Sequence, residues 1–150
     1  MRPSRACRIP GLDEVDVQVG AAAGGTIVAF GDSITDGWRS TVGTDDRWPN
    51  DLAGRLLAGS LGQRHPVVDE GIGGNRVLAN SVVFGVSAQA RFLRDAVALS
   101  GARYVIVLEG INDIDFTLTP AAKIIAGYQH LIAAAHAAGL KIFGATLTPF

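Results

Sequence analysis

The sequence predicts an α/β fold, a parallel sheet with helices packed on it, and three observations carry that prediction. Apolar runs at Thr26–Phe30, Tyr104–Leu108 and Lys141–Ala145 have the length and continuity of buried strands. Segments with helical periodicity alternate with them along the chain, as in a parallel sheet with helices on both faces. Three of the strands run into short polar segments, Gly31-Asp32-Ser33, Gly71-Ile72-Gly73-Gly74-Asn75-Arg76 and Gly110-Ile111-Asn112-Asp113. Open α/β sheets keep their chemistry at such carboxyl ends.

The elements follow in order. Thr26–Phe30 is the first strand. Trp48-Pro49 opens a helix with proline in its first turn, where no amide donor is needed, and Leu52, Leu56 and Leu57 form its apolar face. Pro66–Asp69 is a short second strand. The glycine-rich stretch 71–87 lacks a helical period and reads as a long loop of the kind that often carries function. Ser87 is a suitable N-cap for a helix with Phe92, Ala96 and Leu99 on one stripe. After the third strand, Pro120 starts the longest helix, with Ile124, Ile125, Tyr128, Leu131, Ile132 and Ala135 on one face and Gly139 as its C-terminal cap. Lys141–Ala145 is the fourth strand.

Composition bounds the function classes. The chain has 150 residues, 48% hydrophobic and 18% charged, which describes one globular domain with a sizeable core. A net charge of −1 with scattered arginines points to neither a nucleic-acid nor a membrane-surface partner. No apolar run reaches the length of a membrane span. Cys7 is the only cysteine, so neither an internal disulfide nor a cysteine-held zinc is expected. Residues 1–25 read as a leader or linker, and 26–150 as the domain. Val15, Val17 and Val19 alternate like a short edge strand. Acidic residues and Pro10 break up the region where an export signal would need its apolar stretch, so the sequence as written carries none, and the compartment stays open.

Each polar segment has an ordinary structural reading beside a functional one. Ser33 can cap the helix after its strand or act as a nucleophile, which needs a base to take its proton. The glycines around Gly74 can make a tight turn or present a backbone amide to an oxyanion. Asn112 can turn the chain or donate its carboxamide to the same oxyanion. The glycine spacing is not that of a dinucleotide-binding loop. Asp32 and Asp36 lie too far apart for the paired aspartates of a phosphoryl-acceptor site. Taken together, a hydroxyl, an exposed amide and a carboxamide donor at three strand ends are expected to share one crevice.

With these blocks in that order, the chain resembles the SGNH (GDSL-type) hydrolases. Gly31-Asp32-Ser33 with Gly37 resembles the nucleophile block, Gly74 the oxyanion glycine, and Asn112 the oxyanion asparagine. Thr146-Leu147-Thr148-Pro149 looks like the family's segment after the fourth strand, and the likeness runs over about residues 26–150. The resemblance implies a flavodoxin-like three-layer α/β/α sandwich and a serine esterase, lipase or carbohydrate acetylesterase. It implies a small-molecule ester as substrate, no cofactor or metal, and a catalytic set of Ser33, Gly74 and Asn112. The family's last block, D-x-x-H with its base histidine, has no counterpart here. The expectation is therefore a chain truncated before the last strand and helix, with little turnover, marginal stability and a tendency to self-associate. An inactive fragment, or a small-anion or carbohydrate-binding domain, is the alternative. His65, His130 and His136 are expected to lie away from the site.

Overall fold

The computed structural model describes residues 24–60 and 64–147. The 1–23 segment, with Cys7 and the alternating valines, lies outside the described residues, as do Thr148 and Pro149. Within them the elements are β1 (Thr26–Gly31), α1 (Ser33–Asp36), α2 (Trp48–Ala58), β2 (Val67–Gly71), α3 (Ala88–Phe92), β3 (Ala102–Leu108), α4 (Ile111–Asp115), α5 (Ala121–Ala137) and β4 (Lys141–Gly144). The four strands form one parallel sheet in the order β2-β1-β3-β4, so β1 and β3 are central. All three layers of the expected α/β arrangement are present.

Side-chain alternation along the strands divides the packing between the two faces. Val28 and Phe30 of β1 and Val105 and Val107 of β3 point to one face, where they meet Ala88, Phe92 and Ala96 from the α3 segment and Leu131 and Ala135 of α5. Phe30 and Phe92 meet edge to face, with ring centroids 5.2 Å apart. On the other face α2 packs on β2, and Arg47 just before α2 pairs with Asp69 at 3.5 Å. Beside β4 that second face is thinly covered, and Phe143 is 51% exposed.

Several local expectations hold for the reasons that produced them. Ser87 caps α3 by accepting from the Ala90 amide at 3.3 Å. Gly139 follows α5 with φ +73°, the left-handed conformation of a helix stop. Others need correction. Leu57 of α2 is exposed, so of the expected face only Leu52 and Leu56 turn inward, half-buried, with Pro49 buried beside them. Ile125 and Ile132 of α5 are exposed too, and the buried stripe is Ile124, Gly127, Leu131 and Ala135. The helix after Ser87 is not uniform. It widens into a π turn over Leu93–Val97, where the Ala98 amide reaches Leu93 O at 2.9 Å. The strand ends run on into glycine, β1 to Gly31 and β2 to Gly71, while β4 stops at Gly144.

Candidate active site

The crevice forms where β1, β2 and β3 end. Gly31 and Gly71 are register partners there, and both are glycine for a steric reason. A Cβ on Gly31 would lie 2.2 Å from Thr35 Oγ1, and one on Gly71 would lie 2.1 Å from the Asp36 amide nitrogen. The short helix α1 can therefore fold tightly over both strand ends and carry Ser33 at its first position. Asp32 caps α1, accepting from the Ile34 amide at 2.9 Å. Trp48 Nε1 donates to Thr35 Oγ1 at 3.3 Å and ties α2 to the same turn.

The second block is a turn over residues 72–75. The Asn75 amide donates to Ile72 O at 3.0 Å, and Gly74 takes φ +76°, as the third position of a type II turn demands. The Ile72 amide donates to Gly31 O at 3.0 Å, which joins this turn to the nucleophile strand. Among the described residues the Gly74 amide and the Ser33 hydroxyl have no hydrogen-bond partner, so both remain available to a ligand. The loop that follows closes on itself, with a bridge between Ser81 and Gly85.

The third block is α4. Asn112 is buried, and its Nδ2 donates to Asn75 O at 2.8 Å. A carboxamide nitrogen has two N–H groups, so one is left for a ligand. Asp113 accepts from the Val77 amide at 2.7 Å and the Leu78 amide at 3.2 Å, fastening the segment after the oxyanion turn to α4. The structure thus brings Ser33, Gly74 and Asn112 to one sheet edge through direct hydrogen bonds between their blocks.

Beneath the crevice lies a buried layer of ionisable side chains. Arg91 is fully buried, and its Nη2 donates to Gly31 O at 2.9 Å, its Nη1 to Glu70 O at 2.9 Å and its Nε to Asn75 Oδ1 at 3.0 Å. Glu109 is also fully buried, 3.8 Å from Arg91, with neither carboxylate oxygen hydrogen-bonded among the described residues. Burial, reinforced by the charge of Asp32, pushes the Glu109 carboxyl well above the usual carboxylate range despite Arg91. Burial likewise pushes Asp32 up to about 6. Tyr128 donates its hydroxyl to Glu109 O, and burial raises that phenol to about 12. Beside Glu109 a cleft of about 440 Å³ opens between α4 and α5, lined mainly by Ile114, Ile124, Ile125, Tyr128 and Leu147.

The histidines lie elsewhere, as expected. His65 Nδ1 sits 2.8 Å from Gly25 O, at the start of the sheet, with its ring against Tyr104. His130 and His136 are exposed on α5. Among the described residues no three His, Cys, Asp or Glu side chains cluster to hold a metal ion, and no helix is long and apolar enough to cross a membrane.

Sequence reasoning missed Arg91 and Glu109 as parts of this site, and it gave no role to Asn75 and Asp113, which lie inside the polar segments. A faint signal existed for Arg91, which is charged, lies next to Phe92 of the core stripe and has Asp95 one turn on, 3.5 Å away. Glu109 is a charged residue set between an apolar strand and a glycine, which was equally readable.

This architecture is that of the SGNH-type esterases. AlinE4, described as an SGNH-hydrolase family esterase, superposes with a TM-score of 0.67 at 17% identity, covering 85% of this chain and 60% of that one. An aryl esterase from M. smegmatis gives a TM-score of 0.68 at 19% identity, covering 80% of this chain and 62% of that one. Est24, a carbohydrate acetylesterase from Sinorhizobium meliloti, gives 0.67 at 19% identity, covering 83% of this chain and 65% of that one. The chain spans less than two thirds of the length of each of these structures. The chain belongs to the GDSL-like lipase/acylhydrolase family, whose family model matches residues 29–150. No curated protein sequence matches it.

Proposed function

We propose that the site hydrolyses a small-molecule ester through an acyl-enzyme on Ser33. Ser33 Oγ attacks the ester carbonyl while a base takes its proton. The carbonyl oxygen becomes an oxyanion held by the Ser33 amide, the Gly74 amide and the free N–H of Asn112 Nδ2. The alcohol leaves with a proton returned from the base, and water then attacks the acyl group to release the acid. His65 lies at the opposite end of the sheet and His130 and His136 are exposed on α5, so in the test below added imidazole takes the Ser33 proton.

The observation that carries this reading is the hydrogen bond from Asn112 Nδ2 to Asn75 O, 2.8 Å long. It sets the carboxamide donor beside the residue that follows Gly74. The aryl esterase and the carbohydrate acetylesterase among the structural neighbours support small aryl or acetyl esters as the substrate class.

The test is phosphonylation by an alkyl fluorophosphonate, with imidazole added to stand in for a base, read by mass spectrometry. The expected result is a single adduct on the peptide carrying Ser33, absent from Ser33→Ala. A folded chain whose Ser33 stays unmodified with and without imidazole sinks the reading.

A second reading, a site that binds a small anion or carbohydrate without turnover, is favoured by the placement of His65 at the opposite end of the sheet and the exposure of His130 and His136 on α5. Thermal stabilisation by phosphate or acetate, lost in Asn112→Ala, would favour it over hydrolysis.

A further inference from the structure

We propose that Arg91 is the positioning residue of this site, a single buried guanidinium that holds the nucleophile strand, the end of β2 and the oxyanion turn at fixed separations. The proposal rests on the acyl-transfer reading above for its catalytic meaning, and on geometry alone for the positioning.

The side chain of Arg91 is 0% exposed, and each of its three nitrogens is bonded to a different part of the crevice. Nη2 holds Gly31 O, two residues before Ser33, and Nη1 holds Glu70 O at the end of β2, each at 2.9 Å. Nε holds Asn75 Oδ1 at 3.0 Å, on the residue that follows Gly74. Asn75 relays the hold: its Nδ2 donates to Phe84 O at 3.1 Å and Val86 O at 2.8 Å, and its carbonyl accepts from Asn112 Nδ2 at 2.8 Å. Arg91 therefore bonds directly to the first two blocks and reaches the third through one residue. Its guanidinium carbon lies 3.9 Å from the centroid of the Phe30 ring, which restricts the plane in which it can donate.

Chemistry favours arginine at such a place. A guanidinium offers five donors in a rigid plane, whereas an ammonium is a point charge on a flexible stem. Charge neutralisation alone is a poor reason to keep the group, because buried ion pairs are often replaceable by apolar residues without loss. What an apolar residue cannot supply is a set distance between Gly31 O and Asn75 Oδ1. Displacement of a reacting group by about 1 Å can cost about 100-fold in rate.

Arg91→Lys tests this, because it keeps a cation opposite Asp95 and Glu109 but not the planar fork. Asn75→Ala is the companion variant, which leaves Arg91 and its other bonds in place should Arg91→Lys fail to fold. Two readouts apply to each: hydrogen exchange of the Ile72 and Asn75 amides against Val105 and Val107, and the maximal rate and half-saturation of Ser33 phosphonylation. The expected result is exchange about 10-fold faster at Ile72 and Asn75 with the β3 amides unchanged, and a maximal rate about 10- to 100-fold lower with unchanged half-saturation. A folded variant in which the turn exchanges as in the parent, or in which Ser33 reacts at the parent rate, overturns the proposal. If the parent itself is not phosphonylated, the acyl-transfer reading fails, and the exchange readout alone decides whether Arg91 positions the turn.

Discussion

Asp32 caps the helix that bears Ser33 with a carboxyl group whose surroundings favour its protonated form. Burial is the main cause of its rise to about 6; the Ile34 amide pulls it down, the Asp113 charge pushes it up and Arg91 pulls it down. The folded pKa lies above the ordinary one, so the fold binds this proton more tightly than the unfolded chain does. The contribution to stability is complete below about pH 4 and is lost as pH rises through about 6. Asp32→Asn retains a capping oxygen and removes the ionisation. Thermal melts should show a smaller fall in midpoint between pH 4.5 and 7 for Asp32→Asn than for the parent, with Glu109 and Asp69, both raised by burial, contributing to what remains. Gly74 poses a steric question instead. An added Cβ meets φ +76° and lies 2.3 Å from Phe84 Cδ1, so Gly74→Ala is expected to lower stability by about 1–3 kcal/mol in urea unfolding. Asn112→Ala should cut Ser33 acylation about 100- to 1,000-fold, measured with an activated ester and added imidazole. At this scale the candidates Ser33, Gly74 and Asn112 could be proposed from the sequence because each follows the end of a readable strand. Arg91 was not, because its partners Gly31 and Asn75 lie 60 and 16 residues away.

Helix α5 shows what periodicity does and does not settle. Its alanine-rich sequence is apolar over most of its circumference, so the pattern marks a wide stripe without choosing the part that meets the sheet. The structure chooses Leu131, 2% exposed, and leaves Ile125 56% exposed. Leu131→Ala should therefore cost about 2–5 kcal/mol and Ile125→Ala no more than about 0.5 kcal/mol in chemical denaturation. Equal costs would mean that the helix is rotated from this position. The same contrast holds at α2, where Leu57 belongs to the sequence stripe and faces solvent. Strands were read more closely, since a continuous apolar run has no face to choose. Their glycine ends were missed because Gly31 and Gly71 stay in strand only while α1 packs across them.

In the molecule as a whole, the sheet is fully covered on one side, while on the other the cover thins beside β4 among the described residues. The α3 and α5 side holds the core, whereas Phe143 is exposed on β4, a strand paired on one side only among the described residues. An edge strand with an exposed aromatic invites pairing between chains. Sedimentation should show association that grows with concentration, and Phe143→Lys should reduce it with little change in melting midpoint. The order of strands and helices, the parallel sheet and the three polar blocks at its carboxyl edge were determined by the sequence itself. These depend on runs of neighbouring residues, on glycine and on strand length, all of which act locally. The width of each buried helix face and the buried layer of Arg91, Glu109 and Asp32 under Ser33 were decided only in the tertiary structure. They depend on which side chains meet when distant segments pack, and on how far burial removes their charges from water.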